Sequence, residues 1–243
     1  MKLSEKQIKN FETDGFLIIK EFAGKDLCDD ILSKAFTHLT HSIAPIESEA
    51  QYQQSSSQNN TIRRLRQVYD REDIFSTWMK NQEIRPALKQ LLNEDPILML
   101  AHHNSIMTKQ PFKSSITSWH QDIRYWNYQN DKLISIWLSL GDERIENGLL
   151  EFIPGSHKMN FKSKQFDNNL SFKDAAENKS IISKRVHFNL NQGDIVIFHA
   201  KTLHHAHQNL TQKTKFSFVY SVRAASNQPI KDSVSDFKEV IFD

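Results

Sequence analysis

Ser118-Trp119-His120-Gln121-Asp122 is the stretch on which the reading of this chain turns. On an extended strand, residues i and i+2 project to one side, so His120 and Asp122 present an imidazole and a carboxylate together. Further along, His204-His205-Ala206-His207 offers the imidazole that would complete a face of two histidines and one carboxylate. Such a face leaves three positions on an octahedral metal open, as non-haem Fe(II) oxygenases require. His-x-Asp alone is a common chance pattern. Its weight comes from the residues around it.

Composition narrows the field. The 243 residues suffice for a large β-rich domain, and 31 Lys+Arg against 29 Asp+Glu leave a formal charge of only +2. That balance argues against a nucleic-acid partner, so attraction for anions has to come from local clusters. The clearest is Arg63-Arg64-Leu65-Arg66 with Arg71, which reads as a solvated basic loop or helix start. A single cysteine, Cys28, excludes an internal disulfide framework. Met1-Lys2-Leu3-Ser4-Glu5 lacks the apolar core of a signal peptide, and no run approaches the roughly 20 apolar residues that span a bilayer. The expectation is a cytoplasmic protein without membrane insertion.

Ser4-Glu5-Lys6-Gln7 has capping-box spacing, with Ile8 and Phe11 behind it and Asp14-Gly15 as a stop. Phe16-Leu17-Ile18-Ile19 reads as a buried strand. Leu27, Ile31, Leu32 and Phe36 make the inward face of a helix over about 25–39. Residues 41–60, rich in Ser, Gln, Asn and Glu, read as an exposed mobile loop. Helical spacing returns over about 72–92, broken near Pro86. After Pro96 the pattern becomes short β-like runs: 97–107, 133–140, 149–153, 181–190, 195–199 and 215–222. Asn147-Gly148, Pro154-Gly155 and Gln192-Gly193-Asp194 punctuate them. Helices first and strands afterwards suggest a mainly β sandwich or jelly roll with flanking N-terminal helices. One domain over 1–243 is expected, with a helical layer to about 95, a core over about 96–225 and a polar lid at 156–180.

Several pieces stand in a telling order. They are His120-Gln121-Asp122, Glu146-Asn147-Gly148-Leu149, Ile153-Pro154-Gly155-Ser156-His157, Gly193-Asp194-Ile195-Val196-Ile197-Phe198-His199 and Leu203-His204. From roughly Lys109 to Lys215 the chain resembles the phytanoyl-CoA dioxygenase family, with an echo in Asp14-Gly15-Phe16-Leu17. The resemblance implies a double-stranded β-helix of jelly-roll type that uses Fe(II), 2-oxoglutarate and O₂. It implies His120, Asp122 and His204 as the catalytic metal ligands, with His199, His205 and His207 as rivals for the distal place. Strand parity turns His205 away from His204, and His207 falls in the following loop. Related halogenating enzymes carry a small residue where Asp122 stands, so the carboxylate favours hydroxylation.

The family usually places an arginine eleven residues after the distal histidine, to pair with the far carboxylate of 2-oxoglutarate. Here that position is Lys215, which brings charge but not the planar guanidinium fork. Arg223 lies about 26 Å further along an extended strand. Lys109 and Trp137 match family positions beside the cosubstrate. For the substrate, Arg124 is the favoured contact, since strand parity would put it on the ligand side, with Tyr125 and Trp126 near the same mouth.

The expected activity is hydroxylation of a small, anionic molecule with release of succinate and CO₂. One rival reading is a metal- or 2-oxoglutarate-binding sensor without turnover. Another is a carbohydrate-binding jelly roll, which would not need the triad. Family substrates range over acyl-CoA thioesters, amino-acid derivatives, phosphonates, sugars and natural products, and the sequence does not choose among them.

Overall fold

The computed structural model describes residues 1–53 and 61–242. Helix α1 (Glu5–Asp14) starts on the expected capping box: Gln7 N–H donates to Ser4 Oγ, and Ser4 N–H donates to the Gln7 side chain. It stops at Gly15, whose φ of +84° is left-handed. A Cβ there would lie 2.4 Å from His157 Nδ1 and 2.5 Å from Thr202 Oγ1, so the turn also needs the bare backbone. Strand β1 (Phe16–Ile19) and helix α2 (Lys25–Thr40) follow. Helix α2 buries Cys28, Ile31, Ala35 and His38, whereas Phe36, expected to face inward, is 58% exposed.

Next come β2 (Ile46–Ser48), α3 (Glu49–Gln53) and β3 (Ile62–Arg66). The polar stretch read as a mobile loop therefore contains a strand, a helix and the buried Glu49, while residues 54–60 lie outside the described residues. The Arg63-Arg64-Leu65-Arg66 cluster is a strand rather than a loop or helix start, and it pairs with both β2 and β4. Helices α4 (Asp73–Met79) and α5 (Arg85–Leu92) are separated by residues 80–84, and Pro86 sits in the first turn of α5. Proline fits there because the first helical N–H groups have no partner within the helix.

The remaining elements are β4 (Pro96–Lys109), β5 (Thr117–His120), β6 (Leu133–Ser139), β7 (Leu150–Phe152), α6 (Lys179–Ile182) and β8 (Val186–His187). They end with β9 (Ile195–His199), β10 (His204–Ala206), β11 (Lys215–Ala224) and β12 (Glu239–Ile241). The run 181–190, read as one strand, holds the end of α6, a turn and only two strand residues.

Two antiparallel sheets form the jelly roll. The larger runs β1-β9-β6-β11-β4-β3-β2 with β12 on β4, and the smaller runs β5-β10-β7-β8. Because β1, β2 and β3 join the larger sheet, the N-terminal part is not a purely helical layer. Alternation along the central strands explains the layering. Ile134, Ile136 and Leu138 of β6 and Phe216, Phe218, Tyr220 and Val222 of β11 pack under the helices with Ile31, Phe75 and Trp78. The opposite faces carry Trp137 and Val219, which meet Phe16, Leu150, Phe152, Phe198 and Ala206 between the sheets. Phe218 has no exposed surface, so its truncation to alanine costs about 3–5 kcal/mol.

The stretch 156–180 is also less polar than it reads. Phe161, Phe166 and Phe172 pack with Trp119, Ile153, Ile182 and Leu203, which fixes the segment against the end of the smaller sheet. Among the described residues, no helix is long and apolar enough to cross a membrane.

Candidate metal centre

Strands β5 and β10 pair so that His120 lies directly opposite His204. After His120, Gln121 stays extended and the chain enters a 3-10 turn over Asp122–Tyr125, which is secured by Ile123 N–H donating to Ala200 O at 3.1 Å. The turn returns the Asp122 carboxylate to the histidines. His120 Nε2 and His204 Nε2 each lie 3.6 Å from Asp122 Oδ1, and one ligand atom from each of the three residues lies within 4.8 Å of the others.

The supporting contacts orient these groups as ligands. His120 Nδ1–H donates to Ser118 O at 2.8 Å, and His204 Nδ1–H donates to Thr202 O at 3.0 Å. Both tautomers are thereby set with the Nε2 lone pair toward the centre. Burial pushes both imidazoles down to about 4, so they are neutral and able to ligate at neutral pH. Ser135 Oγ donates to Asp122 Oδ2 at 3.2 Å and meets Ser221 Oγ at 2.9 Å, which ties the carboxylate to β6 and β11. A divalent cation fits this donor set of two oriented neutral imidazoles and one held carboxylate.

The rival histidines are elsewhere. His199 Nδ1 accepts the Lys201 N–H at 3.0 Å, and its ring lies 5.5 Å from that of His157. His205 faces away from the centre and stacks on Trp119. His103, which sequence reasoning missed, brings Nε2 to 3.6 Å from Asp122 Oδ1 without joining the convergent set. Its position comes from an irregularity in β4: Asn104 pairs with Tyr220 while Met99 pairs with Ser221, so residues 100–103 bulge out of the β4–β11 ladder. Simple alternation cannot see such a displacement.

A cavity of about 970 Å³ joins the triad to two buried lysines, Lys109 and Lys215, which are direct cross-strand partners. Trp137 lines the same space. Lys109 Nζ donates to Ser115 O at 2.9 Å, and burial, then Arg63 and Lys215, push its ammonium well below the ordinary value. Lys215 Nζ donates to Glu143 Oε2 at 2.8 Å. Glu143 is fully buried and also accepts from Trp137 Nε1–H at 2.8 Å and Ser217 Oγ at 2.6 Å. Sequence reading missed Glu143, which sits in an acidic turn, Asp142-Glu143-Arg144, that looks like surface. Arg223 is committed to Glu239 at 2.6–2.7 Å and is no substitute for Lys215.

Arg124 requires a correction. It lies in the 3-10 turn, where strand parity does not apply. Its guanidinium carbon sits 3.4 Å from the Phe166 ring centroid and its Nε–H donates to Gln121 Oε1 at 2.9 Å, so it braces the 156–180 segment and does not line the cavity. The arginines that do line the cavity, Arg63, Arg64 and Arg66, belong to β3. Arg63 donates to Thr117 Oγ1 at 2.8 Å and lies over the Tyr52 ring, and Arg64 pairs with Glu47 at 2.6 Å. The two long polar segments meet at the mouth: Glu47, Gln51 and Tyr52 come from one, and Asp167, Asn169 and Ser171 from the other.

The sequence profile of phytanoyl-CoA dioxygenase (PhyH) matches residues 11–217. The ectoine dioxygenase of Streptomyces avermitilis is 26% identical over 62% of this chain and 50% of its own length, so the chain spans about half of that relative. Human peroxisomal phytanoyl-CoA dioxygenase is 31% identical over 47% of this chain and 36% of its own length. Among solved structures, the epimerase SnoN in complex with Fe³⁺, alpha ketoglutarate and nogalamycin RO superposes with a TM-score of 0.76 at 18% identity, covering 93% of this chain and 85% of that one. EctD from S. alaskensis with 2-oxoglutarate and 5-hydroxyectoine gives 0.76 at 18%, covering 94% and 78%. At these identities the structural likeness establishes the jelly-roll fold.

Proposed function

The chain belongs to the phytanoyl-CoA dioxygenase family, and from that premise we propose that it is a non-haem Fe(II)- and 2-oxoglutarate-dependent dioxygenase that hydroxylates a small molecule. The observation that carries this reading is the joining of an oriented His120–Asp122–His204 triad and a buried cationic end in one cavity. Those three residues would hold the iron. When bound, iron supplies O₂ activation coupled to oxidative decarboxylation of the keto acid to succinate and CO₂.

The chain's own residues do the rest. Backbone carbonyls of Ser118 and Thr202 hold the imidazoles in ligating tautomers, and Ser135 holds the carboxylate. Lys215 takes the far carboxylate of 2-oxoglutarate, with Lys109 beside it and the Trp137 indole as a wall. Glu143 positions both Lys215 and Trp137 through its two oxygens. The apolar layer of Leu150, Phe198, Ala206 and Val219 lines the cavity and keeps water from the reacting centre.

At the mouth, Arg64 and Arg66 supply positive charge, and Glu47 and Asp167 moderate it. This mixture suits a small polar substrate with one anionic group rather than a polyanion. A second reading is a non-catalytic sensor that binds metal or 2-oxoglutarate on the same scaffold, for which a lysine already paired with Glu143 leaves room. Succinate formation separates the two. The metal-free protein is loaded anaerobically with Fe(II), then given 2-oxoglutarate and O₂ with a panel of anionic sugars, amino acids, phosphonates and acyl-CoAs. A dioxygenase gives substrate-dependent succinate that vanishes in His204→Ala. Tight 2-oxoglutarate binding with no succinate across the panel would instead establish the sensor.

A further inference from the structure

Strand β10 carries a second constellation on the face opposite the triad. His205 stands directly across from Glu151 of β7, and Glu151 stands across from His187 of β8, so the three form a row on one face of the smaller sheet. His207, just past the end of β10, brings its ring to the same carboxylate. His205 Nδ1 lies 3.6 Å and His207 Nε2 lies 3.0 Å from Glu151 Oε2, with one ligand atom from each of the three residues within 4.8 Å of the others.

Two features set this group apart from an ordinary ion pair. Both nitrogens are buried and neither has a hydrogen-bond partner, although His207 Nε2 lies 3.0 Å from Glu151 Oε2; His205 Nδ1, at 3.6 Å, is beyond hydrogen-bond reach. The imidazole rings lie edge-to-face at 4.7 Å and 82°, which brings two nitrogens together without stacking. A buried polar atom without a partner is destabilising, and here two such atoms converge on a single carboxylate oxygen. His205 is fixed by stacking on Trp119 at 5.1 Å, and Glu151 is buried in the centre of its strand. His207 is one-third exposed and gives access from solvent. The other groups facing Glu151 are Arg185 Nε and His187 Nδ1, each at 3.5 Å and about half exposed.

We propose that Glu151, His205 and His207 form a second divalent-cation site, distinct from the His120–Asp122–His204 centre and suited to an ion of the zinc class. Two imidazoles and a carboxylate with one position left to solvent are a normal tetrahedral zinc donor set. The ion would tie β7 to the end of β10, immediately behind His204. Arg185 would turn toward solvent, since its carboxylate contact competes with the cation.

Metal-free protein titrated with Co²⁺ and then Zn²⁺ tests this, reading Co²⁺ visible absorption and bound metal after dialysis. The parent protein should bind two equivalents. Asp122→Ala and His207→Ala should each bind one, and the double variant none. Glu151→Gln, which preserves side-chain shape, should match His207→Ala, with circular dichroism confirming the fold of each variant. A parent that binds one equivalent, lost in Asp122→Ala, would overturn the proposal. So would a second equivalent that survives both His207→Ala and Glu151→Gln.

Discussion

The two faces of β10 carry the same three donors in different settings. On the inner face, each imidazole of the triad donates to a backbone carbonyl and the carboxylate accepts from a serine, so each group is aimed before any ion arrives. On the outer face, His205 Nδ1 and His207 Nε2 have no hydrogen-bond partner, and Glu151 is shared with Arg185 and His187. Donor composition is thus a poor guide to role, and the groups behind the donors say more. The inner set is aimed in advance, as the proposed turnover would require, whereas the outer set suits an ion that stays.

The sharpest way to break this contrast is to remove a ligand from each face in turn. Asp122→Ala or His204→Ala should abolish substrate-dependent succinate formation, a loss of at least ~10³-fold, while circular dichroism stays native. His207→Ala should leave turnover within about threefold of the parent. Equal losses on both faces, measured with the same Fe(II) and 2-oxoglutarate, would show that the outer cluster belongs to the reaction.

The second test concerns the far end of the inner cavity. Lys215→Ala should raise the KM for 2-oxoglutarate with little effect on substrate KM. A charge-assisted contact contributes roughly 1.5–3 kcal/mol, corresponding to an increase of about 10- to 150-fold. Glu143→Gln sharpens the point. It should destabilise the 2-oxoglutarate-free protein by about 3–5 kcal/mol, because Lys215 is left as a buried unpaired charge. Saturating 2-oxoglutarate should restore part of that stability by supplying the missing carboxylate. Urea unfolding with and without 2-oxoglutarate measures both effects, and an unchanged ligand response would move the anchoring role to Lys109.

These expectations also mark where the sequence was legible. His120, Asp122 and His204 do converge, but strand parity is only part of the reason: a 3-10 turn returns Asp122, and β10 pairs with β5 through an irregular register. Lys215 was expected from its spacing to His204. Strand parity failed at Arg124 because the chain leaves the strand at Asp122. It also failed at His103, where four residues bulge from β4. Glu143 was hidden for a different reason: an acidic turn looks solvated until the fold places Lys215, Trp137 and Ser217 around it. Arg63-Arg64-Leu65-Arg66 misled because basic residues are rare inside a sheet. Here Arg63 is buried against Ser115 and Thr117 at the cavity wall.

Arg124 supplies the third test, of intermediate size. With its guanidinium stacked on Phe166 and bonded to Gln121, Arg124→Gln should lower stability by about 1–2 kcal/mol. Substrate KM should change less than about threefold. A large rise in substrate KM with normal stability would return Arg124 to the recognition role that strand parity suggested.

The last test separates histidines that are neutral in order to ligate from those that are merely buried. Burial pushes His199 down to about 4, as it does His204, yet among the described residues His199 belongs to no convergent set of metal-ligating groups. Its Nδ1 accepts the Lys201 N–H, and His157, Asp131 and Lys201 are the titratable neighbours that act on it. Between about pH 6.5 and 4 the unfolded chain binds a proton at this residue and the folded chain does not. Stability therefore falls as the pH drops through that window, by up to ~1.4 kcal/mol per unit for one histidine. His199→Gln in metal-free protein should remove about one proton's worth of that slope, read from urea midpoints at pH 7, 5.5 and 4.5. Fe(II) affinity at pH 7 should stay unchanged. Loss of iron binding in His199→Gln would mean that a lowered pKa, rather than convergence on Asp122, had marked the ligand.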